Sequence, residues 1–279
     1  MRMIKAPIQD SEEVFLQCIS LVKDKNLKKR LVSISGEIKH AGLAYEEKAS
    51  EMKLYSVLPK SIVGRDVNRK EMSAIYKQRM AKPNAPGREV YDKLLLAPLL
   101  GRCPLCGFGK VTTLDHYLPQ AHYCAYAVLP KNLVPACADC NKYKRDVICT
   151  KEETQTLHPY FDTVDTVSWL VAEVMEVLPV AIRFYIIPSS CWSKVLAARV
   201  NHHFITFQLE RSFALNAADE LQNIYYSVKK LFDTGGAPCV QSHLKAEAES
   251  RRVNHLNSWQ TAMYEALASN KWFCSGNAF

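Results

Sequence analysis

Four cysteines in the middle of the chain form two identically spaced pairs that are typical of a zinc site. Cys103 and Cys106 make the first C-x2-C pair, and Cys137 and Cys140 make the second. Each short turn can direct two thiolates at one point, and two turns complete a tetrahedron around Zn²⁺ with Zn–S distances of about 2.3 Å. Four thiolates leave no open coordination position, so we predict that this zinc is structural and not catalytic.

The segment between the two cysteine pairs carries a second set of residues that could do chemistry. Residues 107–136 separate the pairs, a gap longer than the roughly 15–20 residues of a simple zinc ribbon. Asp115 directly precedes His116 in this segment, and Asn141 follows the last cysteine. A histidine can act as a base near neutral pH, and carboxylate and amide oxygens suit Mg²⁺ or Mn²⁺. Phosphodiester hydrolysis needs both a base for water and a cation for the developing negative charge.

The motifs LDHYLPQ and NLVPACADCNKYKRD, enclosed by the cysteine pairs, resemble the HNH endonucleases, also called ββα-metal nucleases. The resemblance covers 103–146 and implies a β-hairpin with the acid and histidine, packed on a helix with the last asparagine. His116 is then the catalytic base, and Asp115 and Asn141 hold a catalytic divalent ion. Asn132 is expected to orient the histidine or brace the loop without binding metal. The asparagine at Asn141 replaces the second histidine of the family name, which weakens metal affinity at most.

Basic residues next to Asn141 are candidates for binding phosphate. If a helix begins after the last cysteine, Asn141, Lys144 and Arg145 lie at positions i, i+3 and i+4 and share one face. Lys144 and Arg145 would then flank the asparagine and hold the phosphates of a substrate. The alternative interpretation is that these cations form an ordinary solvated helix face.

The expected fold class is α+β, with a small zinc-stapled ββα-metal core between two mostly helical regions. We divide the chain into a helical N-terminal region at 1–95, a nuclease core with structural zinc at 96–165, and a mainly helical C-terminal region with a short β segment at 166–279. The helical segments 11–59 and 190–268 are candidate docking surfaces for a partner protein, the first of them within the N-terminal region. Their apolar faces could equally be internal core, which is the favoured interpretation of any single segment.

Local patterns predict the elements within these regions. Apolar residues recur at roughly helical intervals over 11–59, and helices are expected again from about residue 190. A β-prone segment bounded by prolines lies at 178–188. The sequence DTGGAPC at 233–239 predicts a loop because of its glycines and proline.

Composition and charge limit the classes of protein to which the chain can belong. The chain has 279 residues, 48% of them hydrophobic, and a formal net charge of +8 that favours an anionic partner without identifying it. The longest apolar stretch, 167–188, is interrupted by Glu173 and Arg183, and the N-terminus lacks the apolar core of a signal peptide. We therefore expect a cytoplasmic protein with no membrane partner, whose paired cysteines bind metal and do not form disulfides.

Two functions from different classes fit these observations. The first is a metal-dependent endonuclease that acts on DNA or also on RNA, and it is favoured because a binding module has no need of Asp115, His116 and Asn141 together. The second is a zinc-stabilised module that binds nucleic acid or protein without catalytic activity.

The segments that flank the motif suggest a setting for the nuclease. The lead-in GREVYDKLLLAPLLGRCPLCG and the exit HPYFD look like the nuclease subunits of bacterial anti-phage systems of the Septu type, which also occur with retrons. That resemblance implies an ABC-like or SMC-like ATPase as partner. The chain itself has no G-x4-G-K-[ST] loop, so any ATP dependence would come from the partner.

Overall fold

A computed structural model of the chain describes residues 1–278, which form two compact units, Met1–Asp162 and the residues from Thr163 onward. Helices and short antiparallel strands occur together, so the expected α+β class is confirmed. The helices and strands of the first unit are α1 (Ser11–Ile19), α2 (Lys25–Ser33), α3 (Ser35–Ser50), β1 (Ile62–Val63), β2 (Val67–Asn68), α4 (Arg69–Ile75), α5 (Arg88–Leu96), β3 (Thr113–His116), β4 (Leu133–Ala136) and α6 (Ala138–Lys144).

A single hydrophobic core joins the helices of the first unit to the hairpin formed by β3 and β4. Phe15, Leu31 and Met72 come from the helices, and Leu114 and Leu133 come from the hairpin. All five side chains are almost fully removed from water, and burial of this kind is the main driving force for folding. The hairpin thus completes a core that the helices begin. The sequence-based boundary at 95 falls inside this packed unit, and the boundary at 165 lies near the observed division.

The second unit pairs one hairpin with helices. Its elements are β5 (Leu170–Met175), β6 (Ala181–Ile186), α7 (Lys194–Thr206), α8 (Leu209–Asn254) and α9 (Trp259–Ser269). The two strands are antiparallel, with Leu170 opposite Ile186, and α8 and α9 pack against them. Glu173 and Arg183 form an exposed cross-strand ion pair at 2.5 Å. The long apolar stretch of the sequence is therefore a hairpin with one buried face, which confirms the predicted β segment.

The predicted loop at 233–239 is wrong, because the chain is helical on both sides of a single break. Gly236 has φ 64° and ψ −164°, which are not helical values, and it interrupts α8 at that point. Pro238 follows two residues later, where the missing amide hydrogen is tolerated in the first turn of the resumed helix. Among residues 1–278, none of the helices combines the length and the apolar character needed to span a bilayer.

Candidate functional site

The four paired cysteines meet at one buried point. The sulfur atoms of Cys103, Cys106, Cys137 and Cys140 all lie within 4.8 Å of one another. The Sγ atoms of Cys106 and Cys137 are 3.9 Å apart, close to the spacing of about 3.8 Å that follows from tetrahedral zinc with Zn–S bonds of about 2.3 Å. Hydrogen bonds among the four thiols lower the pKa of Cys106 and Cys137 and raise the pKa of Cys103 and Cys140. A metal ion would need all four as thiolates. The cluster is compatible with a structural metal ion such as zinc.

Two glycines shape the turn that carries the first cysteine pair, each for a different reason. Gly107 has φ 81°, in the region that favours glycine, and its N–H donates to Cys103 O at 2.7 Å. Gly109 does not have a positive φ. A Cβ at Gly109 would lie 2.9 Å from Cys137 Sγ, so this position needs glycine for space. Glycine is thus required for its backbone conformation at Gly107 and for space at Gly109.

The second cysteine pair begins helix α6 and so ties the helix to the cluster. Cys137 is the N-cap residue, and its Sγ accepts a hydrogen bond from Cys140 N at 3.4 Å. Asn141 follows directly and lies one helical turn before Lys144, so the two side chains share a face. A metal ion held by the cysteines would therefore also fix the position of the polar face of α6.

His116 sits at the end of β3 with a defined tautomer. Its Nε2 lies 2.8 Å from Ala127 O, and a carbonyl oxygen only accepts, so Nε2 carries the proton. The lone pair is then on Nδ1. The edge of the Tyr76 ring packs against the imidazole with ring centroids 4.4 Å apart. Burial lowers the pKa of His116 to about 4, so the ring is neutral at pH 7.

Asn132 is fully buried and ties together the ends of the loop between the two strands. Its Oδ1 accepts from Leu118 N at 2.7 Å, and its Nδ2 donates to Leu118 O at 3.0 Å and to Tyr126 O at 3.2 Å. The loop that it braces also contains Ala127, the hydrogen-bond partner of His116. This geometry corresponds to the bracing role that the resemblance implies for Asn132.

Asp115 forms a buried ion pair with Lys144. The Lys144 Nζ lies 3.0 Å from Asp115 Oδ2, and the side chains are 10% and 7% exposed. The same ammonium donates to His116 O at 2.7 Å, so α6 is fastened to β3 at two points. Burial raises the pKa of Asp115, and the Lys144 charge opposes that rise. Lys144 was expected to face phosphate, but here its ammonium is held by the candidate metal ligand.

Arg145 departs from the helical face predicted for it. Helix α6 ends at Lys144, and Arg145 has φ 55° and ψ −152°. Its side chain is exposed. The i, i+3 relationship therefore holds for Asn141 and Lys144, whereas the i+4 relationship is wrong for Arg145 because the helix ends before it. A role of Arg145 in binding substrate stays a prediction.

Tyr76 contributes to the site in a way that the sequence did not indicate, and His158 of the HPYFD segment supports the core beside it. Tyr76 opens a π-helical turn, Tyr76–Ala81, directly after α4, and such turns are frequent at functional sites. His158 is almost fully buried, with its Nε2 3.0 Å from the Tyr45 hydroxyl and its ring 4.2 Å from that of Tyr117. His158 thus packs beneath the residue that follows His116 and acts as a structural support. No local pattern links Tyr76 to the motif, since its contact with His116 joins distant parts of the chain.

Comparison with known proteins gives one informative similarity. Protein ea31 of Escherichia phage lambda is 30% identical to the chain over 233 residues, which cover 78% of each chain. The name of that protein states no activity. No protein-family model matches the chain, and no solved structure matches it.

Proposed function

The chain belongs to the same family as Protein ea31 of Escherichia phage lambda, and we propose that it is a metal-dependent HNH endonuclease that hydrolyses the phosphodiester bonds of DNA. One observation carries the proposal: the neutral His116 and the buried Asp115 stand at the end of a hairpin strand that is fastened to helix α6. That helix starts at the four-cysteine cluster and presents Asn141 on the same face as Lys144. An HNH core would need two antiparallel strands followed by a helix, and β3, β4 and α6 supply these elements in support of the proposal.

His116 is the base in this proposal. The lone pair on Nδ1 can accept a proton from the attacking water, while the Nε2–H bond to Ala127 O holds the ring and stabilises the imidazolium that forms. A pKa of about 4 makes the ring a weak base in the protein alone. An anionic phosphate beside the ring favours the charged imidazolium and so raises its pKa towards neutrality.

Asp115 and Asn141 are the residues that would hold a divalent ion. A buried carboxylate and a neutral amide are hard oxygen donors of the kind that Mg²⁺ and Mn²⁺ prefer, with substrate oxygens and water as the remaining ligands. Asp115 is already bound to a cation, the Lys144 ammonium, so these donors fit a divalent ion once that ammonium has moved away. When bound, the ion would neutralise the charge that develops on the phosphate oxygens.

The same ion pair favours a second candidate function. Because Lys144 balances the charge of Asp115, the buried carboxylate needs no divalent ion to neutralise it. The ion pair is therefore also compatible with a zinc-stabilised module that binds nucleic acid or protein without cleaving it. The two candidates differ in whether a divalent ion displaces the ammonium and whether phosphodiesters are cut.

A plasmid-nicking assay separates the two functions. Wild-type protein with Mg²⁺ or Mn²⁺ should nick plasmid DNA, and EDTA should abolish the activity. His116→Ala should reduce nicking by roughly 100-fold or more, since general-base catalysis contributes about 10²–10⁴ in rate. The control is His40→Ala, which removes an exposed histidine on α3 and should leave nicking unchanged. Absence of cutting by folded, zinc-loaded protein on both DNA and RNA would favour the binding module.

A role in an anti-phage defence system stays a prediction. The resemblance of the flanking segments to anti-phage nuclease subunits implies an ATPase partner, and a relative encoded by a phage gives that role no support. The proposal is therefore limited to the nuclease and does not extend to a defence complex.

A further inference from the structure

We propose that a basic groove beside helix α4 binds the phosphate backbone of DNA and leads it to His116; the inference rests on the nuclease function proposed above. The groove has a volume of about 450 Å³. One wall is α4 and the turn that follows it, and the other wall is the loop that follows His116. The polar side chains that line it include Arg69, Lys70, Ser73, Lys77 and Gln120.

The charge of the groove is positive and is not neutralised by the protein. Arg69, Lys70 and Lys77 line it, and no aspartate or glutamate is among its lining residues. Within residues 1–278, neither Lys70 nor Lys77 has an ion-pair partner, and both side chains are exposed. Glu71 is the acidic residue of α4, and its carboxylate is bound by Arg30 at 2.5 Å. Two lysine ammonium groups are therefore available to phosphates, which is the charge complementarity that a nucleic-acid backbone requires.

Gln120 gives the groove a hydrogen-bonding group in need of a partner. Its Oε1 is buried and has no hydrogen-bond partner among the described residues. Most buried polar atoms in proteins are satisfied, so an unpaired amide oxygen in a groove indicates a site for a donor. Nucleobases carry such donors on their exocyclic amines, and a turn of the Gln120 side chain would bring its buried oxygen to one of them.

Both walls of the groove come from segments that adjoin the candidate catalytic residues in the chain. Tyr76 lies directly before Lys77 in the chain, and its ring packs on the His116 imidazole with centroids 4.4 Å apart. On the other wall, Gln120 follows His116 by four residues. The Arg69 guanidinium donates to Ala121 O at 3.0 Å, which holds the two walls together. A backbone held by Lys70 and Lys77 would lie on a wall that includes the residue next to Tyr76, the ring partner of His116. A row of lysines on a helix is in many proteins only a solvated face, and the second wall, supplied by the loop after His116, distinguishes the groove from such a face.

The test measures binding without chemistry. A fluorescein-labelled 30-base-pair DNA duplex is titrated with His116→Ala protein in EDTA over a series of salt concentrations. The titration is repeated with a variant in which Lys70→Gln and Lys77→Gln are added to His116→Ala. The control carries Lys230→Gln with Lys245→Gln, two exposed lysines on α8 that give the same change in net charge.

We expect the groove pair to weaken binding about ten-fold or more. It should also reduce the slope of log K against log salt by about 1.8, since each phosphate contact contributes about 0.9 for duplex DNA. The control pair should change affinity by less than two-fold. Equal losses in the two pairs, or no loss in either, would overturn the groove. Failure of wild-type protein to cut either DNA or RNA would instead overturn the nuclease, and the binding result would still decide the groove.

Discussion

The ammonium of Lys144 lies 3.0 Å from Oδ2 of Asp115, so the carboxylate that should bind a divalent ion is already paired with a cation of the protein itself. Both side chains are largely buried, and the ammonium is also held by His116 O. A divalent ion and Lys144 cannot both occupy the position beside this oxygen. Metal binding and release of Lys144 are therefore coupled if the nuclease proposal is correct.

Lys144→Met should tighten the binding of Mn²⁺ by about ten-fold, because the competing ammonium is gone; a ten-fold change corresponds to about 1.4 kcal/mol. Without metal, the variant leaves Asp115 buried and unpaired, so its free energy of unfolding should fall by about 3 kcal/mol. Saturating Mn²⁺ should restore much of that loss. Calorimetric titration and urea unfolding with and without Mn²⁺ measure both effects.

The matched control for this substitution is Lys142→Met, which removes an exposed lysine from the same helix. It should change neither metal affinity nor stability by a measurable amount. If Lys144→Met bound Mn²⁺ no better than the control, competition between the ammonium and the metal would be ruled out.

Gly109→Ala should weaken zinc binding, because its Cβ would come 2.9 Å from Cys137 Sγ. The sulfur cannot move far without leaving the other three sulfurs. We expect less than one zinc per chain by elemental analysis, with faster loss of zinc to a chelator than in wild type. Gly36→Ala is the control: nothing lies within 4 Å of its Cβ, and alanine in α3 should stabilise the helix by about 0.5–1 kcal/mol. Full zinc with wild-type release kinetics in Gly109→Ala would contradict the steric role.

The cysteine cluster was predictable from sequence because its signal is local. Cys103 and Cys106 lie within one turn, as do Cys137 and Cys140, and that spacing alone brings each pair to a common point. The contact between Tyr76 and His116 gave no such signal. It joins residues 40 apart, and only the tertiary fold, which brings the Tyr76 side chain against β3, creates it.

The errors at Arg145 and Gly236 have a common cause: helix ends are weakly encoded in sequence. The periodicity after Cys140 correctly put Asn141 and Lys144 on one face, but nothing in it showed that the helix stops before Arg145. At Gly236 the opposite occurred, since glycine and proline predicted a loop where the helix resumes after one non-helical residue. In both cases tertiary packing decides how far a helix extends.

The stability of the protein should depend on pH through His116. Burial lowers the pKa of this ring to about 4 in the folded protein, against about 6.5 in an unfolded chain. The unfolded state therefore binds more protons between these values, so the free energy of unfolding is highest above pH 6.5 and falls as the pH drops towards 4. The contribution of this one group amounts to roughly 3 kcal/mol.

The comparison of wild type with His116→Gln isolates this effect. Glutamine can still donate to Ala127 O but does not titrate, and any acid loss of zinc affects both proteins alike. Urea unfolding at pH 7 and pH 4.5 should show a steeper decline in wild type. Equal declines would mean that the ring is not held neutral by burial.

Asn132→Ala should disorder the loop that positions His116. The variant removes three hydrogen bonds of a fully buried side chain, at about 1 kcal/mol each, so the free energy of unfolding should fall by about 3 kcal/mol. The exposed Asn223 on α8 supplies the control, and Asn223→Ala should change stability by less than about 0.5 kcal/mol.

In wild type, NMR of the His116 imidazole nitrogens should report a proton on Nε2 alone, because Ala127 O accepts from it. Asn132→Ala should show a mixture of tautomers and a slower nicking rate at saturating DNA. A stable variant with a single tautomer and full nicking would show that the loop holds His116 without help from Asn132.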